Sequence, residues 1–343
     1  TSGCFDSVYE VAKGAGYISD YVQKHPEVVV EQERPVISSA CPAVLRLIRT
    51  RFPDLLPHIT TNILPMELAA ILARREAVKK TGLKPEEIGV FAIVPCSAQV
   101  TAIRHPDDLQ APVIDGAFSI RKVYVRLLSP MQKIKKPKKL SSASRAGLRW
   151  SYASGEADAR STGERYLAVD GMDNVISILA AIEDERVPDV DFVELSACTQ
   201  GCVGGCLTAE DPFVAAMRLR NLIDNGSDLV NDFDEEVGDP SLLQADKELE
   251  FAPVYLLDED RAVAMEKMAA IHELERQLPG LLCGSCGAPS CHAFAEDVVL
   301  GRADRSDCIF QVRARVQKET GADMDEYLPA PFRRQRPEEK KDT

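Results

Sequence analysis

Ten cysteines in 343 residues are the side chains of this sequence with the most chemistry to offer, because a thiolate is both a soft metal ligand and a redox group. The densest set is Cys283-Gly-Ser-Cys286-Gly-Ala-Pro-Ser-Cys291, with Cys308 beyond the helix-like stretch His292–Gly301. A two-residue gap lets successive thiolates meet one centre through a tight turn, and Gly284 and Gly287 relieve the crowding that such a turn imposes. Four thiolates suit a four-iron, four-sulfur cluster; they also satisfy a tetrahedral zinc ion. A second set, Cys41, Cys96, Cys198 and Cys202, is dispersed, and each member stands just beyond a short apolar run. The competing reading of this second set is buried cysteine that happens to follow strands.

The elements that must bring the dispersed set together can be read from the pattern around it. Pro35–Ser39, Gly89–Val94 and Val190–Leu195 read as strands, with helices expected over Ala43–Phe52, over Met66–Lys80 behind Pro65, and from Asp173 onward with Val175, Ile178, Leu179 and Ile182 at helical spacing. This alternation between Val28 and Asp191 predicts an α/β domain with parallel strands, and the run GVFAIV at 89–94 a strand buried on both faces. The carboxyl ends of parallel strands share one sheet edge, where ligand sites form. Three strand ends therefore bring four thiolates together, and Gly201, Gly204 and Gly205 let the backbone come close to a bulky centre. Residues 130–163 read as a long loop whose basic run, Lys133–Lys139, is either a solvated connection or a docking patch for an acidic partner such as a ferredoxin. Asp211-Pro212 opens a helix over Phe213–Ile223, and Asp224–Glu250 reads as surface loop with short helical pieces. Arg261–Leu278 reads as a helix with Met265, Met268, Ile271, Leu274 and Leu278 along one stripe, and Arg333–Thr343 as a charged, disordered tail.

Composition narrows the classes. With 41 Lys and Arg against 54 Asp and Glu the net charge is −13, which argues against a nucleic-acid binder. A content of 45% hydrophobic and 28% charged residues is that of a globular protein. No apolar run approaches the roughly eighteen residues of a membrane span, and the expected location is the cytoplasm, where cysteines serve as metal ligands or redox groups in preference to disulfides. Cys4 and Cys206 belong to neither set, although Cys206 follows Cys202 closely enough to stand near the same site. His25, His58, His105, His272 and His292 show no paired ligand spacing, and Glu194 at a strand end reads as a structural hydrogen-bond acceptor.

Two resemblances give these residues a context. Pro279–Cys308 resembles the small iron-sulfur domain of corrinoid iron-sulfur proteins and of redox-driven ion-pump subunits, which implies a four-iron, four-sulfur cluster on Cys283, Cys286, Cys291 and Cys308. Ser38-Ser39-Ala40-Cys41-Pro42, Val94-Pro95-Cys96-Ser97-Ala98-Gln99 and Glu194-Leu195-Ser196-Ala197-Cys198-Thr199-Gln200-Gly201-Cys202-Val203-Gly204-Gly205 resemble, in order, the three motifs of the iron-iron hydrogenase catalytic domain, over roughly Phe5–Ala216. The resemblance implies hydrogenase-like lobes of parallel sheet flanked by helices, followed by a small, mostly helical iron-sulfur domain. It also implies a second four-iron cluster on Cys41, Cys96, Cys198 and Cys202, with Cys202 bridging to a two-iron unit that carries carbonyl and cyanide ligands and splits or forms hydrogen.

Departures from the family pattern shape the expected function. The proton-relaying cysteine of the family is Ala40 here, and a methyl group relays nothing. The family's lysine donor to cyanide is Gln99, whose uncharged hydrogen bond is about half as strong. The flanking methionines are Val94 and Ser196, and Ser39 keeps the family's serine. Retained cluster ligands with a lost relay resemble the sensory branch of the family: slow, reversible hydrogen chemistry used for hydrogen or redox sensing. The alternative is a non-catalytic cluster protein, either resembling the eukaryotic hydrogenase-like assembly factors or serving as an electron-transfer subunit. Expected domains are 1–255 for the hydrogenase-like part, lacking its N-terminal start, 256–312 for the iron-sulfur domain and 313–343 for a tail. Expected partners are hydrogen and protons, a ferredoxin or signalling protein, and maturation proteins.

Overall fold

A computed structural model describes residues 5–25, 33–136, 141–160, 163–225, 229–253, 257, 258, 260–281 and 283–321. Cys4, the Lys138–Lys139 end of the basic run and the 333–343 tail lie outside the described residues. The chain forms two compact units, Thr1–Pro253 and Val254–Thr343.

The first unit holds two separate parallel sheets. One has the order β1-β5-β4, from β1 (Val36–Ile37), β4 (Tyr166–Asp170) and β5 (Phe192–Ser196); the other pairs β2 (Phe91–Val94) with β3 (Gly116–Ser119). Cys41 thus follows a strand of one sheet and Cys96 a strand of the other, so the expected single sheet edge is two strand-end clusters from two lobes. On the first sheet, α2 (Pro42–Arg51) and α8 (Met172–Glu183) bury Val44, Leu45, Ile48, Val175 and Leu179 against Ile37, Val193 and Leu195. Its central strand β5 is apolar through Phe192, Val193 and Leu195 because helices cover both faces. The second sheet packs Ala92 and Val94 on Ala102 and Ile103 of α4 (Ser97–Arg104) and on Met66 and Ala70 of α3 (Pro65–Thr81). Its strand is buried on one face only. Phe91 and Ile93 are 47% and 44% exposed, because α5 (Ile120–Gln132) covers that side incompletely. A third core joins α1 (Val11–Lys24) to α3 through Tyr17, Ile18, Val22 and Leu68.

Local signals explain several boundaries. Pro65 opens α3 and Gly82, with φ 72°, closes it in a left-handed cap. Asp211 accepts hydrogen bonds from the Phe213 and Val214 amides at 3.0 and 3.1 Å to start α9 (Pro212–Asp224). The 130–163 stretch is not one long loop: it contains the end of α5 and two short helices, α6 (Arg145–Arg149) and α7 (Gly155–Arg160). Ser144 and Asn231 anchor α6, with the Ser144 amide donating to Asn231 Oδ1 at 2.7 Å. Asp224–Glu250 does contain a short helix, α10 (Phe233–Glu236), but Phe233 and Leu243 are fully buried, so the segment closes the third core and is not all surface.

The second unit is helical: α11 (Arg261–Arg276), α12 (Cys291–Val299) and α13 (Ile309–Thr320). Ile271, Leu274 and Leu278 pack on Phe294, Ala295 and Cys308. Met265 and Met268 are exposed, so only the C-terminal half of the expected α11 stripe is core. Among the described residues no helix is long and apolar enough to cross a membrane.

Candidate metal centres and the adjoining cavity

The first motif is fixed by a buried acid network. Ser38 Oγ donates to Glu156 Oε2 at 2.5 Å and accepts from the Ala40 amide at 3.1 Å. The Ala157 amide donates to Glu194 Oε2 at 2.9 Å, so Glu194 is an acceptor at a strand end. Burial pushes the Glu156 carboxyl up to about 7. Burial, and then the Glu156 charge, pushes Glu194 up to about 8. Cys41 stands immediately before α2 and Cys96 immediately before α4, where helix N-termini favour anionic sulfur. The amides of Gln99 and Ala98 donate toward the Cys96 sulfur, although burial dominates and leaves its thiol raised.

The third motif is drawn to the second by backbone contacts between lobes of this unit. Leu207 N donates to Pro95 O at 2.8 Å, and a Cβ on Gly205 would stand 2.3 Å from that oxygen. Gly201 has φ 73° and a would-be Cβ 2.7 Å from Ala153 N, so glycine is required there for both reasons. Gln200 is left-handed as well, with φ 65°, and its amide is held by Asp170 Oδ2 at 2.6 Å. These contacts bring the four thiols of Cys41, Cys96, Cys198 and Cys202 into one another's field. Burial pushes Cys198 up to about 11, with Cys41 and Cys96 adding to it. Cys202 is raised further by burial and by the three other thiols. Burial, with the neighbouring thiols, thus disfavours the thiolate at Cys96, Cys198 and Cys202.

Cys283, Cys286, Cys291 and Cys308 line one small cleft, floored by Ala288 and Phe294. Cys291 is the first residue of α12 and Cys308 precedes α13, the same placement at helix N-termini. Hydrogen bonding from Ser285 lowers the Cys283 thiol. Among the described residues no three cysteine sulfurs lie within 4.8 Å of one another. His292 faces Glu275, with Nδ1 2.9 Å from Oε2.

Beside Cys202 opens a cavity of about 630 Å³, lined among others by Ala40, Val94, Gln99 and Cys202. Four positions singled out from the sequence thus share one space. Ser39 and Ser196 are not among its lining residues. Ser39 Oγ donates to Asn62 O at 3.2 Å and accepts from Thr60 Oγ1 at 2.9 Å, and it faces a different cavity of about 900 Å³. Ser196 ends β5, with its carbonyl accepting from the Gly171 amide at 3.0 Å. Sequence reasoning missed Tyr124, Trp150, Glu210 and Arg218 in the first cavity's wall, since none carries a local motif. Glu210 is the one carboxylate lining it among the described residues, and Arg218 holds it in an ion pair. Cys206 is exposed, with its sulfur 3.9 Å from Ser97 Oγ.

Residues 2–123 and 120–206 match the family described as iron only hydrogenase large subunit, C-terminal domain. The chain belongs to this family. Residues 278–310 of this hydrogenase-family protein match a model for an Fe-S cluster region. Its fold is similar to that of a variant of the FeFe-hydrogenase HydA1 from Chlamydomonas reinhardtii, with 16% identity, 73% of this chain and 86% of that one covered, and a TM-score of 0.52. It is equally similar to a structure on stepwise FeFe-hydrogenase H-cluster assembly, with 15% identity, the same coverage and a TM-score of 0.53. The cytosolic Fe-S cluster assembly factor NAR1 of Botryotinia fuckeliana is 30% identical over 66 residues, which are 19% of this chain and 12% of that protein's length.

Proposed function

We propose that Cys41, Cys96, Cys198 and Cys202 hold one four-iron, four-sulfur cluster, that Cys283, Cys286, Cys291 and Cys308 hold a second, and that the cavity beside Cys202 receives a two-iron unit bridged through the Cys202 sulfur. When bound, that unit supplies the reversible splitting of hydrogen into two protons and two electrons. The observation that carries this reading is the position of Cys202, which shares the field of three other thiols and also lines the 630 Å³ cavity. Gln99, through its side-chain amide, offers an uncharged hydrogen-bond donor to an anionic ligand there. The Ala40 methyl occupies the place where the family moves a proton, and the only described carboxylate in the wall is tied to Arg218. Hydrogen chemistry at this site is therefore slow, and slow chemistry suits a hydrogen or redox sensor better than a turnover enzyme. On this reading residues 1–255 form the catalytic part, 256–312 the second cluster's domain and relay to a ferredoxin or signalling protein, and 313–343 a tail.

A non-catalytic role like that of an assembly factor is the second reading, favoured by the 66-residue similarity to NAR1. The infrared spectrum separates the two. Protein matured with the complete cofactor should show metal-bound carbonyl and cyanide bands that shift under hydrogen. Absence of those bands, with both clusters in place, refutes the two-iron reading and leaves the second.

A further inference from the structure

We infer that the cavity of about 900 Å³ that Ser39 faces is a binding site for a primary alkylammonium group, with Asp108 as its acceptor. The cavity lies in the first unit, between residues 56–62 and residues 244–249. Hydrogen bonds hold its sides together: the Ala245 amide donates to Thr61 O at 2.8 Å, and the Gln110 amide to Asp246 Oδ1 at 2.7 Å. Asp108 lines the cavity at 4% exposure, and its Oδ2 is buried with no hydrogen-bond partner among the described residues. An orphaned carboxylate oxygen is costly, and native structures keep few of them. The Cβ–Cγ torsion of an aspartate is soft, so a small turn presents that oxygen to a guest.

Charge decides the sign of the guest. Asp108, Asp246 and Glu248 line the cavity against one cation, Lys247, and the buried Glu67 stands close enough to feel the Asp108 charge. Arg46 and Arg49 do not offset these acids, because both pair with Asp107. Burial first, with the Asp107 and Asp246 charges adding to it, pushes the Asp108 carboxyl up; a cation in the cavity opposes all three. Shape decides which cation. Leu45, Leu56, Ile59 and Leu249 share the lining, and such a wall offers a metal ion no ligand but covers an alkyl chain. Among the described residues, no three carboxylates of this cavity have oxygens within 4.8 Å of one another. An ammonium head donates to Asp108 while its chain lies on the leucines. A free polyamine and a lysine side chain both carry this chemistry. Ser39 lines this cavity and Ala40 the one beside Cys202, so the site is separate from the two-iron cavity and does not rest on the proposed function.

The test is calorimetric titration of the full chain with n-butylamine, putrescine, Nα-acetyl-lysine amide, tetramethylammonium and Mg²⁺. n-Butylamine should bind once per chain, and tetramethylammonium, which has the charge but no N–H, about tenfold more weakly or worse. Putrescine binding more tightly than the lysine amide would identify a free polyamine as the guest, and the reverse order a lysine side chain; either supports the site. Asp108→Asn should weaken n-butylamine about tenfold or more. Asp246→Asn with Glu248→Gln, both at exposed positions, should weaken putrescine about two- to fivefold, and this pair decides the matter if Asp108→Asn does not fold. Asp184→Asn with Glu185→Gln, neither of which lines the cavity, should change nothing beyond about twofold. The inference is overturned if no amine binds below about 10 mM, if tetramethylammonium binds as tightly as n-butylamine, if folded Asp108→Asn or the exposed pair keeps full affinity, or if Mg²⁺ binds more tightly than the amines and is lost with Asp108→Asn.

Discussion

Gly205→Ala tests how the first cluster site is built. The glycine's would-be Cβ stands 2.3 Å from Pro95 O and 2.9 Å from Pro95 C. Opening the oxygen contact to even 3.0 Å demands a shift of about 0.7 Å between the third motif and the second, whereas metal–ligand distances tolerate about 0.2 Å. Both neighbours are backbone, so no rotamer change relieves the clash. The cost in stability is that of overpacking, about 1 to 3 kcal/mol, too little to unfold the domain. Cys96, next to Pro95, and Cys202, three residues before the glycine, must then separate. After reconstitution, iron should fall from about eight per chain to about four, and one electron paramagnetic resonance signal should vanish while the other is unchanged. Full iron with an unaltered spectrum in this variant would show that the Pro95 contact does not set the thiol geometry, and the reasoning fails.

The remaining predictions use the same protein. Cys291→Ser should remove the complementary signal and leave the one that Gly205→Ala abolishes, with iron again near four per chain; zinc in a folded preparation would refute the two-cluster assignment. Ala40→Cys in matured protein should raise hydrogen turnover by less than the roughly hundredfold of a working relay, because Glu210 is committed to Arg218; a gain of a hundredfold or more would reveal a proton path outside the cavity wall. Burial, and then Asp108, pushes Glu67 up to about 8 from its ordinary 4.5, so the native state holds the proton more tightly than the unfolded chain. Its contribution to stability is whole below about 4.5 and is lost as pH rises toward about 8, at up to about 1.4 kcal/mol per pH unit; Glu67→Gln should flatten that slope in denaturant melts, and an unchanged slope would refute the assignment.

What was legible in the sequence follows from how local each signal is. The C-terminal set could be read directly because Cys283, Cys286 and Cys291 are held by one turn and one helix start, and their cleft follows from spacing alone. Pro65, Gly82 and Asp211 marked helix ends for the same reason. Membership in the dispersed set was visible in three motifs, but not the means of assembly. Cys41 and Cys96 belong to different sheets, and what joins them is a backbone contact between Gly205 and Pro95, residues 110 positions apart. The exposed face of β2 escaped notice because a run such as FAIV looks alike whether one face is covered or two. Ser39 kept the family's residue type and still faces away from the cavity that Ala40 lines, since adjacent residues in an extended segment point to opposite sides.

That last contrast bears on what kind of protein this is. Groups that would hold metal are all present: eight thiols in two sets, four of them at helix starts, where the backbone favours anionic sulfur. At the family's relay position stands Ala40, and the one carboxylate lining the same cavity among the described residues, Glu210, is ion-paired with Arg218. Close backbone packing at Gly201 and Gly205 admits no side chain, which constrains the sequence at both positions. On the proposed reading, a cavity beside Cys202 with Ala40 in its wall would let the site bind and change redox state more readily than turn over.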